Sequence, residues 1–228
     1  MNGNGMRYER KFAIRGFSVH RLRRMIELHP AQFTTPFPAR YVNNIYLDSE
    51  DLASYRETLG GVSQRIKHRV RWYGDLLGHV EQPTYEIKRK RGLRGDKLSY
   101  RLKPFEFGPK LPPDDLLANI AGSTDVVEWK EELRGLRPWI VNRYHRFYYQ
   151  SWDRRFRLTL DHGAESFRFA APGRKYFGGL EGVTTVIELK YDVRDDDDVH
   201  AVTNAFPFRM TKNSKYVTGV YDAYCSIL

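Results

Sequence analysis

Apolar and polar residues alternate along most of the chain, which is the pattern of β-strands that bury one face. The alternation predicts strands at 6–14, 40–48, 63–74, 83–91, 96–103, 141–152, 155–161, 165–170 and 184–192. Apolar residues at helical spacing predict helices at about 18–28, 51–58, 114–119, 125–134, 197–205 and 216–225. The predicted fold class is therefore α+β, dominated by a meandering antiparallel sheet.

The predicted strand around residue 69 carries a row of cations within the sequence QRIKHRVRWYG. Alternation places four basic side chains on one side of this strand, namely Arg65, Lys67, Arg69 and Arg71. Same-side residues lie about 6–7 Å apart on a strand. At that distance two unit charges repel by about 0.6 kcal/mol in water and by about 2.5 kcal/mol at an effective dielectric near 20. The row is tolerable in open solvent, but in an enclosed space it needs counter-charge.

Most of the other predicted strands also have one charged face and one apolar face. Glu9 and Lys11 share a face of the first strand, and Glu188 and Lys190 share a face of the last. Glu86 and Lys88 share a face of the strand predicted at 83–91. A carboxylate beside a lysine suits a divalent metal bound next to an anion. Two architectures give this pattern: an open sheet whose charged face lies in water, or a closed barrel with helices outside and charges lining a channel. The pattern alone favours neither.

The composition indicates one large domain that binds an anion. The 228 residues are 41% hydrophobic and include 13 Phe and 15 Tyr, which is enough to form a core, so we predict a single domain over residues 1–228. Lysine and arginine number 38 against 28 acidic residues, a net charge of +10. The partner could be a nucleic acid, a nucleotide, polyphosphate or an anionic membrane.

Several functional classes are not indicated by the sequence. The single cysteine, Cys225, excludes an intrachain disulfide, and neither a leader-like stretch nor a run of membrane-spanning length is present, so we expect a cytoplasmic protein. The chain lacks a Walker A motif, a G-x-S-x-G elbow and an H-E-x-x-H motif. Aromatic residues mostly alternate away from the basic ones, which suits core packing better than base stacking, so nucleic acid is not the expected partner.

The order of several segments resembles a known family. The segments are RYERKF, VNNIYLDSEDLASY, RIKHRVRWYG, EIKRKRG, NRYHRFYY, FRLTLD, VIELKYD and TKNSKY, and together they span nearly the whole chain. They are similar to the VTC domain, the polyphosphate polymerase domain of the vacuolar transporter chaperone, which belongs to the CYTH or triphosphate tunnel metalloenzyme superfamily. The resemblance implies a closed antiparallel β-barrel whose basic tunnel holds triphosphate or polyphosphate. It also implies that carboxylates bind Mn²⁺ or Mg²⁺, and that ATP donates its terminal phosphoryl group to a growing inorganic polyphosphate chain.

The resemblance also implies a set of site residues. The phosphate-gripping catalytic positions match Arg69, Arg71, Lys88 and Arg157. Further phosphate-binding positions match Lys11, Arg146, Lys212, Ser214 and Lys215, with Arg143 competing for the place of Arg146. Alternation adds Lys90, Arg101 and Lys190 to the expected lining. The metal-binding carboxylate matches Glu188, assisted by Glu9.

The first strand departs from the pattern of the wider superfamily. Relatives read E-x-E-x-K there, whereas this chain reads Arg7-x-Glu9-x-Lys11. The loss of one carboxylate favours holding polyphosphate over hydrolysis with two metals. Two alternatives remain open, a tunnel triphosphatase and a non-catalytic module that binds polyphosphate or nucleotide.

Overall fold

The computed structural model describes residues 7–91, 94–123, 133–169, 180–182 and 184–225, without the side chains of residues 91, 94, 180–182 and 225. Its strands are β1 Arg7–Ile14, β2 Arg40–Ser49, β3 Gln64–Tyr73, β4 Gly78–Val80, β5 Thr84–Arg91, β6 Arg94–Arg101, β7 Phe105–Phe107, β8 Leu136–Gln150, β9 Phe156–Arg168, β10 Leu180–Gly182 and β11 Thr185–Asp192. Its helices are α1 Val19–Glu27, α2 Ala53–Leu59, α3 Pro113–Ala121, α4 Val199–Thr203 and α5 Lys215–Val220. A 3₁₀ turn at Val193–Asp195 and a π-helical turn at Tyr221–Cys225 complete the described elements.

Each predicted strand region contains an observed strand, with some differences at the boundaries. The two strands predicted at 155–161 and 165–170 form the single strand β9, and β8 begins five residues earlier than its predicted start at residue 141. The short strands β4 and β7 pair only with each other and were not predicted, since three residues are too few to show alternation. Most of the helix predicted at 125–134 lies outside the described residues.

The described chain forms two compact units, each assembled from separated segments. Unit 1 draws on Met1–Arg40, Tyr144–Ala164 and Gly182–Asn213. Unit 2 draws on Tyr41–Arg143, Glu165–Glu181 and Ser214–Leu228. The strands β8 and β9 each contribute residues to both units, and the single domain over residues 1–228 stays a prediction.

Unit 1 contains β1, β11 and parts of β9 and β8, which follow one another in that order in the sheet. The pairs β1–β11 and β11–β9 are antiparallel. One face of these strands packs on α1 through Leu22 and Ile26, together with Phe12, Leu158 and Ile187. The hydroxyl of Ser18 accepts from the backbone N–H of Arg21 and so caps the start of α1. The other face carries Glu9 and Lys11 of β1 and Glu188 and Lys190 of β11, which pair across the two strands.

Unit 2 contains β2, β3, β5, β6 and part of β8, in the sheet order β8, β2, β3, β5, β6. Strand β3 pairs antiparallel with both β2 and β5. One face of these strands is apolar, with Val70, Trp72 and Ile87 packed against Leu116 and Ile120 of α3. The sheet path ends at β1 on one side and at β6 on the other. The predicted α+β class with a mainly antiparallel sheet is confirmed, and closure of the sheet into a barrel stays a prediction.

None of the helices in the described part of the chain is long and apolar enough to cross a membrane.

Candidate functional site

The basic row of β3 lies on the face of the strand opposite the apolar core of unit 2. His68, Val70 and Trp72 are buried on the core side. Because side chains alternate across a strand, Arg69 and Arg71 share the other face, together with Arg65 and Lys67. The structure therefore gives the arrangement that the alternation predicts.

Glu86 of β5 lies among these cations and provides much of their counter-charge. Its carboxylate is only 3% exposed and pairs in register with Arg69. The Nε of Arg69 donates to Oε2 of Glu86 at 2.6 Å, and the Nζ of Lys97 donates to Oε1 at 2.8 Å. The Nη1 of Arg71 lies 3.6 Å from Oε1. One carboxylate thus holds three basic side chains in place.

The protonation of Glu86 follows from this environment. Burial raises the pKa of the carboxyl group, but the charges of Arg69, Arg71 and Lys97 outweigh burial and hold the pKa well below its usual range. Glu86 is therefore ionised at neutral pH. From the sequence, Glu86 next to Lys88 was a candidate carboxylate for a divalent metal beside an anion; its position opposite Arg69 could not be predicted, because that register depends on strand pairing.

Basic residues outnumber Glu86 on the same face. Lys88 pairs in register with Lys67 on one side and with Lys97 on the other, and Lys90 pairs with Arg65. Directly opposed like charges destabilise a sheet. The face is therefore suited to a bound anion. Arg101 is exposed on β6, where it pairs with Thr84.

Residues 214–216 attach α5 to this part of unit 2. The hydroxyl of Ser214 caps α5 by accepting from the backbone N–H of Val217, and it also accepts from the Nζ of Lys67 at 3.0 Å. Lys215 is the first residue of α5. The ring of Tyr216 stacks on Tyr46 with centroids 5.1 Å apart. The predicted site residue Ser214 therefore contacts the basic row directly.

Asp48 anchors the same region from β2. This carboxylate is 1% exposed and accepts from the hydroxyl of Tyr216 and from the backbone N–H groups of Ser54 and Tyr55 at the start of α2. Burial and the contact with Asp48 raise the pKa of Tyr216 far above its usual range, so its hydroxyl keeps its proton. The Tyr46 hydroxyl in turn accepts from Arg69 at 3.4 Å. Neither Asp48 nor Tyr216 could be assigned to the site from the sequence, because each contacts a partner distant in the chain.

Unit 1 contains a second charged cluster, formed by β1 and β11. Lys11 lies 2.7 Å from an oxygen of Glu9 and 3.6 Å from one of Glu188. Lys190 lies 3.6 Å from Glu9 and 2.5 Å from Glu188. Glu188 is buried, whereas Arg157, which pairs with Lys190 on the neighbouring strand, is exposed. The two predicted metal ligands therefore share the same two ammonium groups.

Arg146 lies beside this cluster, and Arg143 lies elsewhere. The guanidinium of Arg146 forms two hydrogen bonds to Asp161, at 2.6 Å and 2.7 Å. Burial lowers the pKa of Arg146, but Asp161, with a smaller contribution from Glu188, raises it well above its usual range. The guanidinium of Arg143 lies 3.7 Å from the ring centroid of Tyr41. Of the two competing arginines, Arg146 is the one that interacts with the carboxylates.

The segment before α5 runs beside β1. The backbone N–H of Thr211 donates to the carbonyl of Lys11 at 2.8 Å, and the Nζ of Lys11 donates to the carbonyl of Asn213 at 3.2 Å. Lys212 lies between these contacts and is exposed. At the far end of β1, Arg7 pairs in register with Asp192. Arg7 thus faces an acidic residue.

The carboxylates of unit 1 fit a divalent cation in their chemistry. Glu9 and Glu188 offer oxygen ligands, and the hydroxyl of Thr159, which pairs in register with Glu188, is buried without a hydrogen-bond partner. No group of three or more His, Cys, Asp or Glu residues arranged for a metal occurs among the described residues. Mg²⁺ at phosphate sites typically uses one or two carboxylates and completes its shell with water and substrate. Two carboxylates from the protein are therefore enough to bind such an ion.

Solved structures share this fold at low sequence identity. A candidate adenylate cyclase from Vibrio parahaemolyticus superposes with a TM-score of 0.53 at 11% identity, covering 94% of this chain and 98% of that one. A candidate adenylate cyclase from Bacillus halodurans gives 0.53 at 16%, covering 92% and 94%. A candidate adenylyl cyclase from Hippeastrum, described as having a dominant triphosphatase activity, gives 0.53 at 13%, covering 96% of each chain.

Comparison at the level of sequence identifies the family. No curated protein matches the chain. The sequence profile of the VTC domain matches residues 6–224, from the first described strand to the turn after α5. This match confirms the resemblance predicted from the ordered segments. With nearly its whole length matched and with the fold of the cyclase and triphosphatase structures, the chain belongs to the VTC domain family.

Proposed function

We propose that this protein transfers phosphoryl groups from a triphosphate substrate, and that it makes inorganic polyphosphate from ATP. The basic face of unit 2 supports this proposal most directly, because Arg69 and Arg71 are held side by side by one buried carboxylate, Glu86. Membership of the VTC domain family supports it independently. The closed barrel with a basic tunnel, which the resemblance implies, is part of the same proposal.

The chemistry suits the residues present. Phosphoryl transfer passes through a loose transition state whose negative charge is spread over several oxygens, so catalysis depends on positioning and on fixed positive charge. Arginine binds phosphate oxygens through two parallel N–H groups. The contact with Glu86 fixes the orientation of Arg69, which lowers the entropy lost when phosphate binds. A protein nucleophile is not required.

We assign the remaining predicted residues to the same reaction. In unit 2, Arg71 and Lys88 bind phosphate oxygens with Arg69, and the surrounding charge comes from Lys90, Arg101, Ser214 and Lys215. In unit 1, Arg157 and Lys212 bind phosphate, and further charge comes from Lys11, Arg146 and Lys190. These roles are proposals from the family resemblance, and the buried or bridged positions of several of these side chains support them.

Glu188, with Glu9, would hold Mn²⁺ or Mg²⁺ in this proposal. The metal ion would neutralise charge on the phosphate oxygens of the bound nucleotide. Lys11 and Lys190 orient both carboxylates, since each ammonium contacts both of them.

A product assay tests the function. Purified protein is incubated with ATP and Mn²⁺ or Mg²⁺, and the products are resolved on a gel for polyphosphate and assayed for free phosphate. A polymerase yields chains of mixed length, whereas a triphosphatase releases orthophosphate only. Absence of both products with each metal would exclude both enzymes and leave the binding module, which polyphosphate would stabilise against thermal unfolding.

The triphosphatase is the second candidate function. It is favoured by the fold shared with the Hippeastrum protein, whose dominant activity is described as triphosphatase. Release of orthophosphate as the sole product would select it over the polymerase.

The assignment of the metal ligand is tested by Glu188→Gln. We expect turnover to fall by at least about 100-fold, the usual range for loss of an electrostatic group at a reacting centre, while tripolyphosphate binding measured by calorimetry without metal changes little. Glu106→Gln is the matched control, since this exposed glutamate lies on β7 and contacts His79. Unchanged turnover in Glu188→Gln would show that the metal ligand has been misassigned.

A further inference from the structure

Tyr73 extends the basic row of β3 at its C-terminal end. It lies two residues beyond Arg71 and therefore on the same face, while Trp72 between them is buried in the apolar core. Its side chain is 46% exposed. One same-face step separates Tyr73 from Arg71, which is about 6–7 Å along the strand. A partly exposed aromatic ring thus lies next to Arg71, to which the proposed function assigns phosphate binding.

Charge is distributed unevenly along this face. At the N-terminal end of β3, Arg65 and Lys67 pair in register with Lys90 and Lys88. These opposed cations favour a polyanion that extends over several of them.

The C-terminal end of β3 differs. Arg71 pairs with the uncharged residues Asn44 on β2 and Thr84 on β5, and it donates to the side-chain oxygen of Asn44 at 3.2 Å. Tyr73 pairs with Val42. Arg101, which pairs with Thr84 on β6, is the cation nearest in register to this end of β5. The neighbourhood of Tyr73 therefore suits an uncharged planar group more than a chain of phosphates.

We propose that β3 sets the direction of the substrate, with the nucleoside of the donor nucleotide at Tyr73 and the phosphate chain running toward Arg65 and Lys90. This inference rests on the proposed function. The ring of Tyr73 stacks on the base, Arg71 and Arg69 bind the phosphates next to the ribose, and the opposed cations hold the phosphates farther along. The distance from a base to its nearest phosphate is comparable to one same-face step, so a base at Tyr73 places the first phosphate of the chain at Arg71.

Binding measurements on Tyr73 variants test the nucleoside end. Calorimetry without metal compares ATP with tripolyphosphate, which has the phosphates but no nucleoside. We expect Tyr73→Ala to weaken ATP binding by about 5-fold or more, the range for loss of one base–aromatic stack, and to leave tripolyphosphate binding unchanged. Tyr73→Phe should restore ATP binding. Tyr221→Ala, which removes another exposed tyrosine of unit 2, is the control.

The phosphate end is tested with Lys90→Ala. We expect this variant to weaken the binding of long-chain polyphosphate more than the binding of ATP.

Equal losses of ATP and tripolyphosphate binding in Tyr73→Ala, or unchanged ATP binding in that variant, would overturn the inference. The outcome is independent of turnover: a protein that binds ATP without transferring phosphate would refute the enzyme while the Tyr73 comparison still decides the direction. A wild-type protein that binds neither ligand would overturn both proposals.

Discussion

Glu86 shows how one residue can make a row of like charges possible. The row of cations on β3 needs counter-charge in an enclosed space, and a buried carboxylate beside Arg69 supplies part of it. A buried ion pair is weak evidence of net stabilisation, but removal of one partner leaves the other charges uncompensated. The residue is thus a structural requirement of the basic face as well as a part of its electrostatics.

We therefore predict that Glu86→Gln destabilises the protein. The free energy of unfolding, measured by urea denaturation, should fall by about 3–5 kcal/mol, the range for breaking a buried ion pair from one side. Tripolyphosphate at saturating concentration should restore part of this loss, because a bound anion supplies the missing charge. The exposed variant Glu106→Gln serves as control, and a loss in Glu86→Gln as small as in that control would contradict the account.

The lowered pKa of His68 makes the free energy of unfolding depend on pH. His68 is buried on the core face of β3, its Nδ1 lies 2.7 Å from the Tyr85 hydroxyl, and burial lowers its pKa from 6.5 to about 4. Between these values the unfolded chain binds a proton that the folded protein does not, so this contribution to stability is complete above pH 6.5 and is lost as the pH falls toward 4. The loss amounts to about 3 kcal/mol.

Urea unfolding at about pH 7.5 and about pH 5 checks this prediction, because these two values bracket the ordinary histidine pKa. His68→Gln should lose less stability between the two conditions than the wild type. His29 has a lowered pKa for the same reason and remains in both proteins, so the difference between them isolates His68. The exposed variant His200→Gln should behave as the wild type, and an equal pH dependence in His68→Gln would rule out the assigned role.

At the scale of elements, alternation predicted the faces of strands better than the partners of strands. The four cations of β3 could be placed on one side from the sequence, because the period of two is local. The register that opposes Glu86 to Arg69 could not, since it depends on which strands become neighbours. The same limit explains why the contact of Arg146 with Asp161 could not be predicted, since the two residues lie on different strands.

Helix α5 is closely packed at Gly219. A Cβ atom there would lie 2.6 Å from Cδ1 of Ile140 and 3.0 Å from the hydroxyl oxygen of Ser166. We predict that Gly219→Ala lowers the free energy of unfolding by about 1–3 kcal/mol, as overpacking usually does. It should also weaken tripolyphosphate binding, because Ser214 and Tyr216 move with the helix.

The double variant Ile140→Val with Gly219→Ala tests whether this contact is the cause. Ile140→Val removes the atom that the new Cβ meets, and alone it should cost about 0.5–1.5 kcal/mol. The double variant should lose less stability than the two single variants added together. Strict additivity in urea denaturation would show that the contact with Ile140 is not responsible.

At the scale of the whole molecule, the charge of +10 predicts binding that depends on ionic strength. Exposed charges are screened over about 8 Å at physiological salt. A long polyphosphate contacts more cations than ATP does, so its dissociation constant should rise more steeply with salt concentration. Titration of both ligands between low and high salt checks this order, and equal slopes would contradict it.

Residues 214–216 also determine when unit 2 can be completed during folding. The bond from Tyr216 to Asp48 spans 168 residues and that from Lys67 to Ser214 spans 147. Contacts between such distant positions slow folding, because the entropy of closing a long loop is lost before they form. During synthesis, β2 and β3 leave the ribosome long before the segment that orders Lys67 and stacks on Tyr46. During that time the basic face lacks the contacts of residues 214–216. Cellular polyanions can then bind its cations before residues 214–216 pack against it.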